Sequence, residues 1–117
     1  MLRLLLATRN TWHGLLAAAR SERAVQEELV VLVLAVPLAF LVATDAWRWL
    51  ALVGVLLLLL MVELLNTGLE KLADHVTQDT HPQIKYVKDL GSAAVGFALL
   101  LAAMVWLVAL AERLGIL

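Results

Sequence analysis

Apolar positions dominate this chain in three long runs, separated by short polar breaks. Leu29 to Ala43 reads LVVLVLAVPLAFLVA, Trp47 to Met61 is apolar but for Arg48, and the stretch from Tyr86 to Leu114 is mostly apolar. A membrane-crossing helix needs about 20 largely apolar residues. The spacing therefore predicts three spans, over about 25–43, 47–76 and 86–114. The first reaches working length only if its polar flank continues the helix, and it contains Pro37, which membrane helices tolerate where neighbours re-satisfy the backbone. TDAWR (44–48) and TQDTHPQI (77–84) are the expected connections, with His81-Pro82 marking a break, since the residue before proline is pushed out of the helical region.

Ahead of the first span, residues 2–20 alternate differently. Leu2, Leu5, Leu6, Trp12, Leu15 and Leu16 can form one apolar side, with Arg3, Arg9, Asn10 and Arg20 polar. That is the pattern of a helix lying in a membrane interface, either as a simple anchor or as part of a site. MLRLLLA is too short an apolar run for a secretory signal, which needs about 7–15 such residues, so the N-terminus is expected to be retained. Gly91, Ser92, Ala93, Ala94 and Gly96 open the third span, and small residues of this kind let membrane helices approach closely.

Composition agrees with an all-α membrane protein of one domain, 1–117. Of 117 residues, 63% are hydrophobic, against roughly 45–50% in soluble domains. With no cysteine, disulfides and thiolate zinc sites are excluded. A net charge of −1 gives no sign of a nucleic-acid partner. Charge placement says more than charge total. Arg3, Arg9, Arg20, Arg23, Lys71, Lys85 and Lys88 fall on one side of a three-span topology, and only Arg48 and Arg113 on the other. The positive-inside rule then places the N-terminus and the 77–84 loop in the cytoplasm.

The same side carries the chemistry. Within VELLNTGLEKLAD (62–74), Glu63, Asn66, Glu70 and Asp74 return to nearly one helix face at about 3.6 residues per turn, with Thr67 beside them. Asp74 and Lys71 fit a helix emerging into water. Glu63 fits that less well, being flanked by Met61-Val62 and Leu64-Leu65. An ionisable group at a helix centre costs about 2.5–3.5 kcal/mol on insertion scales, and such groups are functional candidates by default. Lys88 and Asp89 in KDLGSAA (88–94), and Glu22 with Gln26, Glu27 and Glu28, reach the same level. Carboxylates with an amide oxygen suit Mg²⁺, which is usually bound together with substrate phosphates. A lysine offers a point charge to phosphate, and a partly buried carboxylate can act as base on a hydroxyl. A lipid phosphotransferase is chemically possible, and so is an ion- or proton-conducting protein. There is no GxxxxGK phosphate loop followed by Ser or Thr and no protein-kinase HRD or DFG set. Against a conducting path, Trp49 to Met61 contains no charged residue and the third span is apolar from Gly96 until Glu112.

Taken in order, TWHGLLAA (11–18), the E-x-A-x-x-x-E pattern from Glu22 to Glu28, VELLNTGLEKLAD and KDLGSAAV (88–95) resemble the small bacterial integral-membrane diacylglycerol kinases. That family also contains the undecaprenol kinases of Gram-positive bacteria, and the resemblance covers about residues 3–114. It implies a homotrimer of three-span subunits with a surface helix and active sites shared between subunits. It also implies transfer of the γ-phosphate of MgATP to the primary hydroxyl of a membrane lipid, in the bacterial inner membrane. By resemblance, Glu63 is the catalytic base, Glu22 and Glu70 are the metal ligands, and Asn66 contacts the nucleotide or metal. Lys88 is the phosphate-binding lysine with Asp89 beside it. Asp74 is a further polar position. Arg3 and Glu28 line the site, and Ser92 joins Glu28, Glu63 and Asp89 on the lipid side. Val25, Gln26 and Glu27 stand where the proteobacterial pattern has phenylalanine, arginine and glutamine, so the resemblance does not carry those nucleotide contacts over. HPQIKYVKD is reminiscent of the undecaprenol kinases, whereas GSAAV and TWHGL are similar to the diacylglycerol kinases. Diacylglycerol is the favoured substrate, with undecaprenol as the alternative. His81 matches a family histidine, as an ATP contact or simply a loop-shaping residue.

Overall fold

A computed structural model of all 117 residues shows four α-helices and no strand. They are α1 (Leu2–Ser21), α2 (Arg23–Val42), α3 (Ala46–Val76) and α4 (Pro82–Arg113). The last three are long and apolar enough to cross a membrane. Helix α3 is the axis of the fold, packing against α4 along much of its length and against α2, while α2 and α4 barely meet and α1 rests mainly on α2.

The helix ends follow from local chemistry. A single extended residue, Glu22, separates α1 from α2, and Gln26 Nε2 donates to the Arg20 carbonyl (3.3 Å), occupying one of the acceptors a helix end leaves free. Asp45 caps α3, its Oδ1 accepting from the Arg48 backbone N–H at 2.8 Å, so α3 begins at Ala46 and takes in residues that the sequence suggested as connection. Helix α4 likewise starts at Pro82, four residues before Tyr86. The proline that breaks the chain at His81 is itself well suited to a first helical position, and His81 Nδ1 accepts from the Gln83 N–H at 3.1 Å.

At 31 residues, α3 is about 46 Å long, against a hydrocarbon core of about 30 Å. It therefore extends beyond the core, and its polar stripe lies toward the same end as α1. The opposite end holds the main core of Ala39, Val42, Leu52, Val53 and Ala109, with Trp49 and Trp106 packed on it. Both indole N–H groups are satisfied inside the bundle, Trp106 by the Leu52 carbonyl (3.1 Å) and Trp49 by the Val36 carbonyl (3.4 Å). Arg48 closes that end by joining α3 to α4, with Nη2 2.8 Å from Glu112 Oε2 and Nη1 2.6 Å from Asp45 Oδ2.

Only 14 residues are buried, and large side chains such as Val33, Phe40, Phe97 and Leu107 face outward. In water such a surface would aggregate. In a bilayer it is surrounded by its own kind of solvent, and the helices satisfy their own backbone groups.

Candidate active site

The stripe on α3 grades from buried to exposed. Glu63 is 8% exposed, the one charged side chain among the buried residues. Asn66 is half-buried, and Glu70 and Asp74 are exposed. Asn66 Nδ2 donates to Glu70 Oε1 at 3.3 Å, which fixes the amide across one turn of helix. Its Oδ1 is buried and has no hydrogen-bond partner. Gly91 of α4 sits against this amide, so close that a Cβ there would strike the Asn66 side chain. The small residues at the start of α4 thus include one that meets α3 directly, whereas Ser92, Ala93 and Ala94 are exposed.

Two further elements converge on the stripe. From the elbow between α1 and α2, Glu22 forms an ion pair with Lys71 at 3.1 Å. From α4, Lys88 Nζ donates to Asp74 Oδ1 at 2.5 Å. Glu22 and Glu70 are both near enough for their charges to bear on Glu63. Glu28 lines the same groove as Glu63, and one Glu28 oxygen is buried without a partner. Glu63 is therefore surrounded by carboxylates, with no cation paired to it. A carboxylate placed in this way is free to accept a hydrogen bond from a hydroxyl or to share a cation with its neighbours.

Glu28 and Glu63 also stand at the mouth of a groove of about 770 Å³, floored by α3 and walled by α2 and α4. Twelve of its fifteen lining residues are apolar, and the other three are Glu27, Glu28 and Glu63. The groove thus has one acidic end and an apolar length.

Some expected members lie apart within one chain. Arg3 is exposed on α1, and Asp89 is held by Lys85 of its own helix at 2.6 Å. Neither these nor Ser92 makes a hydrogen bond or ion pair to Glu63, Asn66 or Glu70. His81 serves as the helix cap described above. Lys71, exposed as a helix emerging into water implies, also pairs with Glu22. The Asp45–Arg48–Glu112 cluster was not foreseen, although an Asp just before an apolar helical run is a recognisable capping signal.

The order of these residues along the chain matches known proteins. The sequence pattern of the family described as "Prokaryotic diacylglycerol kinase" matches residues 9–110. This chain belongs to that family. It is 38% identical over 104 residues to the diacylglycerol kinase of Pseudomonas aeruginosa, covering 89% of this chain and 85% of that one. With the diacylglycerol kinase of Escherichia coli K12 it shares 34% identity over 113 residues, covering 97% and 93%. The diacylglycerol kinase of Helicobacter pylori 26695 is 31% identical over 93 residues, covering 80% and 73%. The family is one of bacterial lipid kinases, and the three apolar helices make this member a membrane protein.

Proposed function

We propose that this protein transfers the γ-phosphate of MgATP to the primary hydroxyl of diacylglycerol, giving phosphatidic acid and ADP. The observation that carries this reading is Glu63, a buried carboxylate without a cationic partner at the mouth of an apolar groove. A lipid hydroxyl reaching Glu63 from the groove donates its hydrogen bond to the carboxylate. As the hydroxyl oxygen bonds to the γ-phosphorus, the bond from that phosphorus to the bridging oxygen breaks and ADP departs. The hydroxyl proton passes to Glu63. A positioned base of this kind contributes about 10²–10⁴-fold.

On the water side, Lys88 and Lys71 supply positive charge for phosphate oxygens, each released from its carboxylate partner, Asp74 or Glu22. Glu70 and Glu22 offer hard carboxylate oxygens of the kind that fits Mg²⁺, with Asn66 holding Glu70 in place. No group of three or more acidic or histidine side chains is gathered tightly enough to hold a metal alone, in keeping with a cation held by one or two carboxylates and the substrate's phosphates. When bound, Mg²⁺ neutralises charge on the transferring phosphoryl group.

The same reading places the polar end and α1 in the cytoplasm, with α1 lying in the interface, as the distribution of Arg and Lys supports. Arg3, Asp89 and Ser92 then complete the site in a homotrimer, from a neighbouring subunit or after substrate binds. Purified protein offered labelled MgATP with either dioctanoylglycerol or a short polyprenol tests the substrate. Preferred transfer to dioctanoylglycerol is expected. Preference for the polyprenol would make this an undecaprenol kinase with the same chemistry.

A further inference from the structure

Of Glu22, Glu63 and Glu70, only Glu22 is paired with a cation. Glu63 has none, and Glu70 accepts a hydrogen bond from the Asn66 amide alone. The cation is Lys71, its Nζ 3.1 Å from Glu22 Oε1, and no other ion pair or side-chain hydrogen bond joins the elbow between α1 and α2 to α3. Lys71 follows Glu70 directly and so leaves α3 about 100° round the helix from it. It stands beside the polar stripe, not in it.

The two partners differ in freedom. The backbone of Glu22 is fixed on both sides, its N–H donating to the Ala18 carbonyl at 2.8 Å and its carbonyl accepting from the Gln26 N–H at 3.0 Å. Its side chain is 24% exposed, against 71% for Lys71. When the pair opens, the lysine moves, since its ammonium sits on a flexible four-carbon stem. An ion pair with one partner this exposed adds little to stability, so the fold loses little by releasing it.

A carboxylate offered to a divalent cation while it holds an ammonium group brings two positive charges together, and they repel. Glu22 therefore serves one of them at a time. Once released, the ammonium of Lys71 is a point charge free to meet phosphate oxygens.

Resting on the lipid-kinase reading above, we propose that Lys71 is a positioning residue that holds Glu22 in the metal-free protein, yields it to a divalent cation, and then turns to the phosphates of the nucleotide. Its charge opposes metal binding to the free enzyme and favours nucleotide binding. Metal and nucleotide are coupled through this one side chain, and such coupling is reciprocal.

The test is titration of the purified protein in detergent with Mn²⁺, a hard cation suited to carboxylate oxygens. No nucleotide is present, and free Mn²⁺ is read by electron paramagnetic resonance. Lys71→Met lowers the Kd for Mn²⁺ several-fold. Lys71→Arg, which keeps the charge, gives the wild-type Kd or a higher one. Lys88→Met leaves the Kd in place, because Lys88 holds Asp74 and not Glu22. In a Glu22→Gln background, Lys71→Met has no such effect. In the transfer assay, Lys71→Met lowers the Mg²⁺ concentration for half-maximal rate and raises the KM for ATP, whereas loss of a merely structural lysine raises both. A Kd for Mn²⁺ that is unchanged or higher in Lys71→Met, absence of binding to that variant, or a gain that persists without Glu22 overturns the proposal. Absence of phosphate transfer from the wild type to any lipid would overturn the lipid-kinase reading, and the nucleotide half of this inference with it. The Mn²⁺ comparison tests the Glu22 half by itself.

Discussion

Gly91 packs directly against the side-chain amide of Asn66, leaving no room for a methyl group between α4 and α3 at the level of the acidic stripe. The contact brings the stripe of polar residues on α3 and the Lys88 end of α4 to one layer. It also explains how two helices more than thirty residues long keep a fixed register near a site otherwise lined by mutually repelling carboxylates.

Gly91→Ala should therefore displace the Asn66 amide and loosen Lys88 from Asp74. Overpacking of this kind costs about 1–3 kcal/mol, read as a lower thermal midpoint in detergent, together with reduced phosphate transfer. Gly96 is the control. A Cβ there meets nothing within 4 Å, so Gly96→Ala is expected to leave the midpoint unchanged or raise it, given a helix preference of about 1 kcal/mol for alanine over glycine.

At the far end, the Arg48 backbone N–H and guanidinium hold the Asp45 carboxyl below its ordinary value of 3.8. A carboxylate whose proton affinity is lower in the folded protein stabilises it above the ordinary value, and that contribution is lost as pH falls through the lowered one. Asp45→Asn should thus lower the thermal midpoint slightly at neutral pH. The difference from wild type should close as pH drops below the 3.8 range. A gap that stays constant down to strong acid would show that the charge contributes nothing.

Much of this was legible in sequence. The spacing of Glu63, Asn66, Glu70 and Asp74 already implied one helix face, because a helix repeats its direction every few residues and three-dimensional context cannot change that. Their contacts across helices were not legible. Lys71 with Glu22, Lys88 with Asp74 and Arg48 with Glu112 join positions far apart in the chain, and nothing in the local pattern says which charge meets which. The start of α4 was misplaced for a local reason. The break does fall at His81-Pro82, but the helix starts on the proline itself, whose fixed φ and missing N–H suit the first turn, and so takes in polar residues ahead of the apolar run. The groove between α2, α3 and α4 arises from the splay of α2 and α4, which no single segment encodes.

For the metal, Glu70→Gln should raise the Mg²⁺ concentration needed for half-maximal transfer several-fold, and Glu22→Gln should do likewise while also freeing Lys71. Lys88→Met should raise the KM for ATP and leave the Mg²⁺ titration in place. Titrating Mg²⁺ at fixed ATP and ATP at fixed Mg²⁺ separates the two. An unchanged Mg²⁺ midpoint in Glu70→Gln would remove that residue from the donor set.

The most direct measurement is transfer of labelled γ-phosphate from MgATP to dioctanoylglycerol by purified Glu63→Gln protein beside the wild type. The amide keeps the shape of the carboxylate and relieves repulsion from Glu22, Glu28 and Glu70, so the variant should fold with an equal or higher thermal midpoint. It cannot accept the hydroxyl proton, and its kcat should fall by about 10²–10⁴-fold. A folded Glu63→Gln variant that retains most of the wild-type turnover would contradict the assignment of Glu63 as the base.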